Sequence, residues 1–106
     1  MPRMLALMPL AAMALAACDP QQAADGLGRR AAATVVLPVV QRDLPTPEAR
    51  QITGCIIQNA RADEVQALAR DVAVVAGTLT EANIRAIANR PETQACFAAN
   101  RVAWRG

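Results

Sequence analysis

The first seventeen residues set the size of what the rest of the chain can fold into. Met4–Ala17 is apolar apart from a break at Pro9, with Arg3 before it and Cys18-Asp19-Pro20 after it. A helix needs about 20 apolar residues to span a bilayer, so this stretch is too short for a permanent transmembrane helix. A positive start, a short apolar run and small residues at its end, here Ala16 and Ala17, describe a secretory signal. Setting residues 1–17 of the 106 aside leaves 106 − 17 = 89. That is enough for one small domain with one modest core.

Leu15-Ala16-Ala17-Cys18 resembles the lipobox of bacterial lipoprotein signal peptides: a branched aliphatic residue, two small residues and a cysteine. The resemblance implies cleavage between Ala17 and Cys18, and a covalent diacylglycerol and N-acyl chain on Cys18. It also implies attachment to the periplasmic side of a bacterial cell membrane. An ordinary cleaved signal with a coincidental cysteine is the alternative. Acyl chains hold at about 0.8 kcal/mol per buried CH₂, so three of them make a permanent anchor. Asp19 directly after the cysteine matches the enteric signal for retention in the inner membrane, which favours the inner over the outer membrane. If Cys18 carries lipid, Cys55 and Cys96 are left as a pair in an oxidising compartment, and one disulfide is expected. Closing a loop of about 42 residues would contribute about 4 kcal/mol. Two buried free thiols are the alternative.

The composition argues against most chemistry. The chain has no His, Lys, Ser or Tyr. General acid–base work near neutral pH is usually done by His, and nucleophilic catalysis by Ser, Cys or Lys. The adjacent carboxylates Asp63 and Glu64 read as helix-start acids, because neighbours on a helix do not face each other. Asp71 is the other carboxylate worth testing. Gly26-Leu27-Gly28 lacks the further glycine of a phosphate loop. No C-x-x-C or histidine suggests a metal. The expectation is no enzyme, no metal and no cofactor beyond the lipid. After residue 17 the eleven cationic residues, less Arg3, leave ten arginines against nine carboxylates. No strong field then invites nucleic acid.

Along the chain, residues 18–30 read as the lipidated N-terminus and a flexible tether, and 31–106 as a small helical domain. Arg29 and Arg30 could each touch anionic lipid at about 1 kcal/mol or simply be solvated. Ala32, Val35, Val36, Val39 and Val40 follow helical spacing, although the β-branched run and Pro38 oppose it. A kinked helix is preferred to an extended segment. Thr46-Pro47-Glu48 predicts a helix start with a Thr cap, followed by a buried face of Ala49, Ile52, Cys55, Ile56 and Ala60. The next helix starts near Ala62 or Asp63 and aligns Val65, Leu68, Ala69 and Val72. It could run on to Gly77 as a C-terminal cap. Thr78 or Thr80 would cap a helix bearing Ile84, Ile87 and Ala88, with Thr78 and Glu81 forming a capping box. Arg90-Pro91-Glu92 starts a last helix with Ala95, Cys96 and Ala99 on one face and Phe97 beside it. The fold class is all-α: a small orthogonal bundle of four to five short helices stapled by one disulfide.

Trp104, between Arg101 and Arg105, is either a partner or membrane contact or a ring folded over the bundle. Gly54-Cys55-Ile56-Ile57-Gln58-Asn59-Ala60 and Arg90-Pro91-Glu92-Thr93-Gln94-Ala95-Cys96 resemble segments of a group of small uncharacterised proteobacterial lipoproteins. Some of that group carry a succinate dehydrogenase label. Nothing here supports it, because the dinucleotide fold, the cysteine-rich cluster site and the long anchor helices of such enzymes are missing. The leading expectation is a lipid-anchored, periplasm-facing accessory or structural protein that acts by contact with a protein partner. A carrier or sensor for a small apolar ligand or lipid, lined by Ile52, Ile56, Leu68, Ile84 and Ile87, is the alternative.

Overall fold

The computed structural model describes residues 20–72 and 76–105, with side chains from residue 25 onward. The expected signal segment 1–17 and Cys18 lie outside the described residues. Among the described residues five helices follow in order: α1 (Pro20–Val40), α2 (Thr46–Asn59), α3 (Ala62–Ala69), α4 (Thr78–Ala88) and α5 (Pro91–Ala99). There is no strand among the described residues. Helix α1 packs on α2 and α3, and α2 packs in turn on α4 and α5. The chain is the stapled all-α bundle expected from its spacing.

Helix α1 corrects the expected tether. Residues 20–30 are the first half of a helix of 21 residues, well beyond the short helices expected. Gly26 and Gly28 each cost a helix about 1 kcal/mol, which is why the stretch looks unstructured in isolation. Packing outweighs that cost. A Cβ on Gly28 would stand 3.7 Å from Val65 Cγ1 on α3, so the helix lies close against its neighbour there. Further along, Ala32, Val35, Val36, Val39 and Val40 are all buried, as their spacing predicts. Pro38 lies on the exposed side of α1, as does Thr34, the residue whose carbonyl loses its usual helical donor.

Several helix ends differ from expectation by local hydrogen-bond logic. Helix α2 is capped by Pro45, whose carbonyl accepts the Ala49 N–H at 2.9 Å; Thr46 is already helical. Helix α3 ends at Ala69, and Val72 is exposed rather than aligned with the core. Gly77 is not a C-terminal cap. It is the N-cap of α4, extended at φ −86° and ψ 178°, and its carbonyl accepts the Glu81 N–H at 3.0 Å. Thr78 therefore caps nothing, and the Thr80 hydroxyl donates instead to Asp71 Oδ2 at 2.7 Å. On α5 the buried residues are Thr93 and Phe97, while Ala95 and Ala99 are exposed. One phenyl ring hides far more apolar area than two alanines, so Phe97 sets the rotation of the helix. Cys96 is left at the edge of the core.

The core itself is Val36, Val40, Ile52, Ile56, Leu68, Ile84, Ile87 and Phe97, all essentially inaccessible to water. Cys55 and Cys96 form a disulfide joining α2 to α5 across 41 positions of sequence. After α5 the chain closes with a Schellman turn: the Arg101 N–H donates to Ala98 O at 3.1 Å and the Val102 N–H to Phe97 O at 3.0 Å. That turn requires a left-handed residue, and Arg101 fills it at φ 57°. The turn brings Trp104 back over the bundle, where it is 6% exposed. Its indole N–H donates to Asp43 Oδ2 at 3.0 Å.

Two outcomes follow for stability. Replacing both Cys55 and Cys96 by alanine is expected to cost about 3–4 kcal/mol in denaturant unfolding. Arg101→Gly is expected to raise stability by about 0.5–1 kcal/mol, since glycine carries no Cβ penalty in the left-handed region. A lower melting temperature for Arg101→Gly would contradict the turn.

Candidate functional site

The two segments that carry the lipoprotein resemblance meet in space. Cys55 and Cys96 are bonded, and the Arg90 guanidinium reaches the last turn of α2, donating to Asn59 O at 3.0 Å. The same guanidinium grips Glu64 with two parallel bonds, to Oε1 at 2.8 Å and Oε2 at 2.5 Å. Glu64 Oε1 also accepts the Arg61 backbone N–H at 2.8 Å, closing the N-terminus of α3. One arginine thus ties the end of α2, the start of α3 and the start of α5. Each cysteine is followed four residues later by an asparagine whose amide donates back to the cysteine carbonyl. Asn59 to Cys55 is 2.9 Å and Asn100 to Cys96 is 2.8 Å.

This joint is structural chemistry. Hydrogen bonding from Arg90, with smaller help from the Arg61 N–H, holds the Glu64 carboxyl below the usual carboxylate range against the opposing effect of burial. The Arg90 guanidinium is pushed up in return by Glu64. Other carboxylates are similarly occupied: Asp43 by the Trp104 indole, Asp71 by the Thr80 hydroxyl, and Glu81 by Arg42. Asp63 is exposed and pairs loosely with Arg61 at 3.4 Å. Among the described residues no cluster of three or more Cys, Asp or Glu side chains could hold a metal ion.

A second feature is a groove of about 480 Å³ between α1 and α2. Its α1 side is Arg29, Arg30, Ala33, Thr34 and Leu37, and its α2 side is Arg50, Thr53, Gly54, Ile57 and Gln58. The two walls have the same spacing. Arg30-x-x-Ala33-Thr34-x-x-Leu37 faces Arg50-x-x-Thr53-Gly54-x-x-Ile57, each with its arginine about two turns before its aliphatic residue. A Cβ on Gly54 would meet nothing within 4 Å, so the floor is open there. The turn at residues 41–45 reverses the chain, and the Gln41 amide touches Thr46 Oγ1 at 3.4 Å across it. The end of α1 therefore lies beside the start of α2, and arginines border the apolar floor from both walls.

The remaining sequence-derived site residues are scattered. Ala17 and Cys18 lie outside the described residues. Trp104 is packed inside, so its ring offers no contact to a partner or a membrane; of that expected cluster only Arg101 and Arg105 are exposed. Ile52, Ile56, Leu68, Ile84 and Ile87 fill the core, and none lines the groove. Arg90 as a clamp and Arg50 as a groove residue escape sequence reading. The first pairs with a residue 26 positions away. The second was findable only by noticing the repeated R-x-x-small-small-x-x-aliphatic pattern on both helices. Comparison with family models, with curated proteins and with solved structures finds no match.

The Glu64–Arg90 joint gives a pH signature. A carboxyl whose folded pKa is lowered stabilises the fold fully above its unfolded value, and that contribution disappears as pH falls toward the folded value. The contribution is therefore expected to be complete above about pH 5 and to fade below it. Arg90→Ala should cost about 2–3 kcal/mol at neutral pH, since it removes both guanidinium bonds to Glu64 and the one to Asn59 O. Glu64→Gln should flatten the acid limb of the stability profile. An unchanged acid limb in urea titrations across pH would count against the joint.

Proposed function

We propose that this chain is a lipid-anchored accessory protein that faces the periplasm and acts by contact with a protein partner. The observation that carries the reading is the Leu15-Ala16-Ala17-Cys18 lipobox, followed two positions later by a helix that continues into the bundle. An anchor joined this closely to the fold holds the domain at the membrane surface. The side-chain chemistry supports a contact role. Glu64, Asp43, Asp71 and Glu81 are each bonded within the fold, and the chain has no His, Lys, Ser or Tyr. A succinate dehydrogenase role finds no support in these residues.

The partner face in this reading is the α3–α4 edge. Leu79 is 76% exposed and Val72 43% exposed. Leu79 borders a concavity of about 430 Å³ with Ala67, Arg70, Asp71, Gly77, Thr80 and Asn83. An apolar residue this open beside a concave surface is a common element of a contact site. The carrier reading is not taken further, because the five residues that would line its cavity pack as core.

Two measurements test the proposal. Intact mass of the chain isolated from membranes is expected to start at Cys18 and to include the acyl groups. A photo-crosslinking residue at position 79, activated in intact membranes, is expected to give one discrete, stoichiometric protein adduct. Leu79→Asp should lose the partner on gentle extraction while keeping the melting temperature. A full-length mass without lipid, or no adduct at position 79, would remove the basis for this function.

A further inference from the structure

We infer that the α1–α2 groove is a second site, a cradle for the headgroup of an anionic phospholipid that turns this face of the bundle toward the membrane. Charge complementarity comes first. Arg29, Arg30 and Arg50 border the groove, and among the described residues none of the three lies within 4.0 Å of a carboxylate. Of the other described arginines, Arg42, Arg61 and Arg90 are paired and Arg70, Arg85, Arg101 and Arg105 are not; what sets Arg29, Arg30 and Arg50 apart is that all three border one groove. Three unpaired guanidiniums around one depression present planar forks suited to phosphate oxygens.

The floor supplies the apolar half of the match. Ala33, Leu37 and Ile57 give carbon surface, and Gly54 leaves it open for the glycerol and first methylenes of a lipid. The volume of about 480 Å³ lies within the ordinary range for sites that hold small molecules. From Arg29 to Leu37 the groove runs eight residues of helix, about 12 Å.

Position completes the argument. Arg29 is nine residues beyond Pro20, about 14 Å along the helix axis. With no flexible tether between the start of α1 and the groove, a membrane holding Cys18 keeps these arginines within reach of its headgroups. This last point rests on the anchor reading; the charge and shape of the groove do not. The α3–α4 edge bearing Leu79 is lined by other residues, so lipid and partner sites do not compete for the same side chains.

The test uses the full chain in phosphatidylcholine nanodiscs with and without phosphatidylglycerol, with a nitroxide on the lipid headgroup. Broadening of the Ala33, Thr34, Gly54 and Gln58 amide signals reads proximity. The expected result is selective broadening on these residues only when phosphatidylglycerol is present, weakened by added salt. Surface arginines contribute about fivefold each to anionic-membrane affinity, so Arg29→Gln/Arg30→Gln/Arg50→Gln together should weaken the contact about a hundredfold. Gly54→Glu, a helix-compatible change in open space, should abolish it without lowering the melting temperature. Broadening of Leu79 and Asn83 instead, or a pattern indifferent to these variants, overturns the inference. So does full protection by inorganic phosphate alone, which would make the apolar floor irrelevant, or a groove covered by a co-isolated protein. Intact mass separates this outcome from failure of the anchor. A chain without acyl groups still reports the groove's lipid preference when added to vesicles of the same two compositions.

Discussion

The bond between Cys55 and Cys96 is the constraint on which the bundle depends. A domain this rich in alanine buries little apolar area per helix, and its core rests on a few isoleucines and valines with one leucine and one phenylalanine. Joining α2 to α5 removes much of the unfolded chain's freedom, which matters most where the core is small. The cross-link also fixes where Arg90 must stand, because Arg90 begins the same helix that carries Cys96. From there its guanidinium reaches Glu64 and the Asn59 carbonyl. Covalent and ionic contacts thus act on one corner of the molecule, where α2, α3 and α5 converge.

What remains outside that corner is where contact with other molecules can occur. Helix α1 covers one flank of α2 and leaves a groove whose arginines have no internal partner. At the α3–α4 edge, Leu79 lies open beside a concavity. The carboxylates that a catalytic reading would need are mostly engaged in holding the fold. Among the described residues the surface carries a polar-rimmed apolar groove between α1 and α2 and an exposed leucine at the α3–α4 edge.

Much of the helical pattern was legible because it rests on local rules. The stripe Ala32, Val35, Val36, Val39 and Val40 is buried as spaced, and so are Ala49, Ile52, Cys55 and Ile56. Helix starts marked by proline and an acid lie within one residue of expectation at α2 and α5. The errors came where two local signals competed. Gly77 suits the end of one helix and the beginning of the next equally well, and only the Glu81 N–H bonded to its carbonyl decides between them. Residues 20–30 carry two glycines that argue against a helix, and it is packing against Val65 that overrides them.

The sequence by itself determined a helical pattern and a short list of reactive residue types, because period and composition are local properties; the pairing of Cys55 with Cys96 was expected only once the lipobox resemblance had set Cys18 aside. Tertiary structure decided which contacts those residues serve. It folded Trp104 into the core by a left-handed turn at Arg101, paired Arg90 with Glu64, and set Arg50 opposite Arg29 and Arg30. Each of these depends on where one helix crosses another. That crossing follows from the side chains of both helices at once, and no single stretch of sequence contains it.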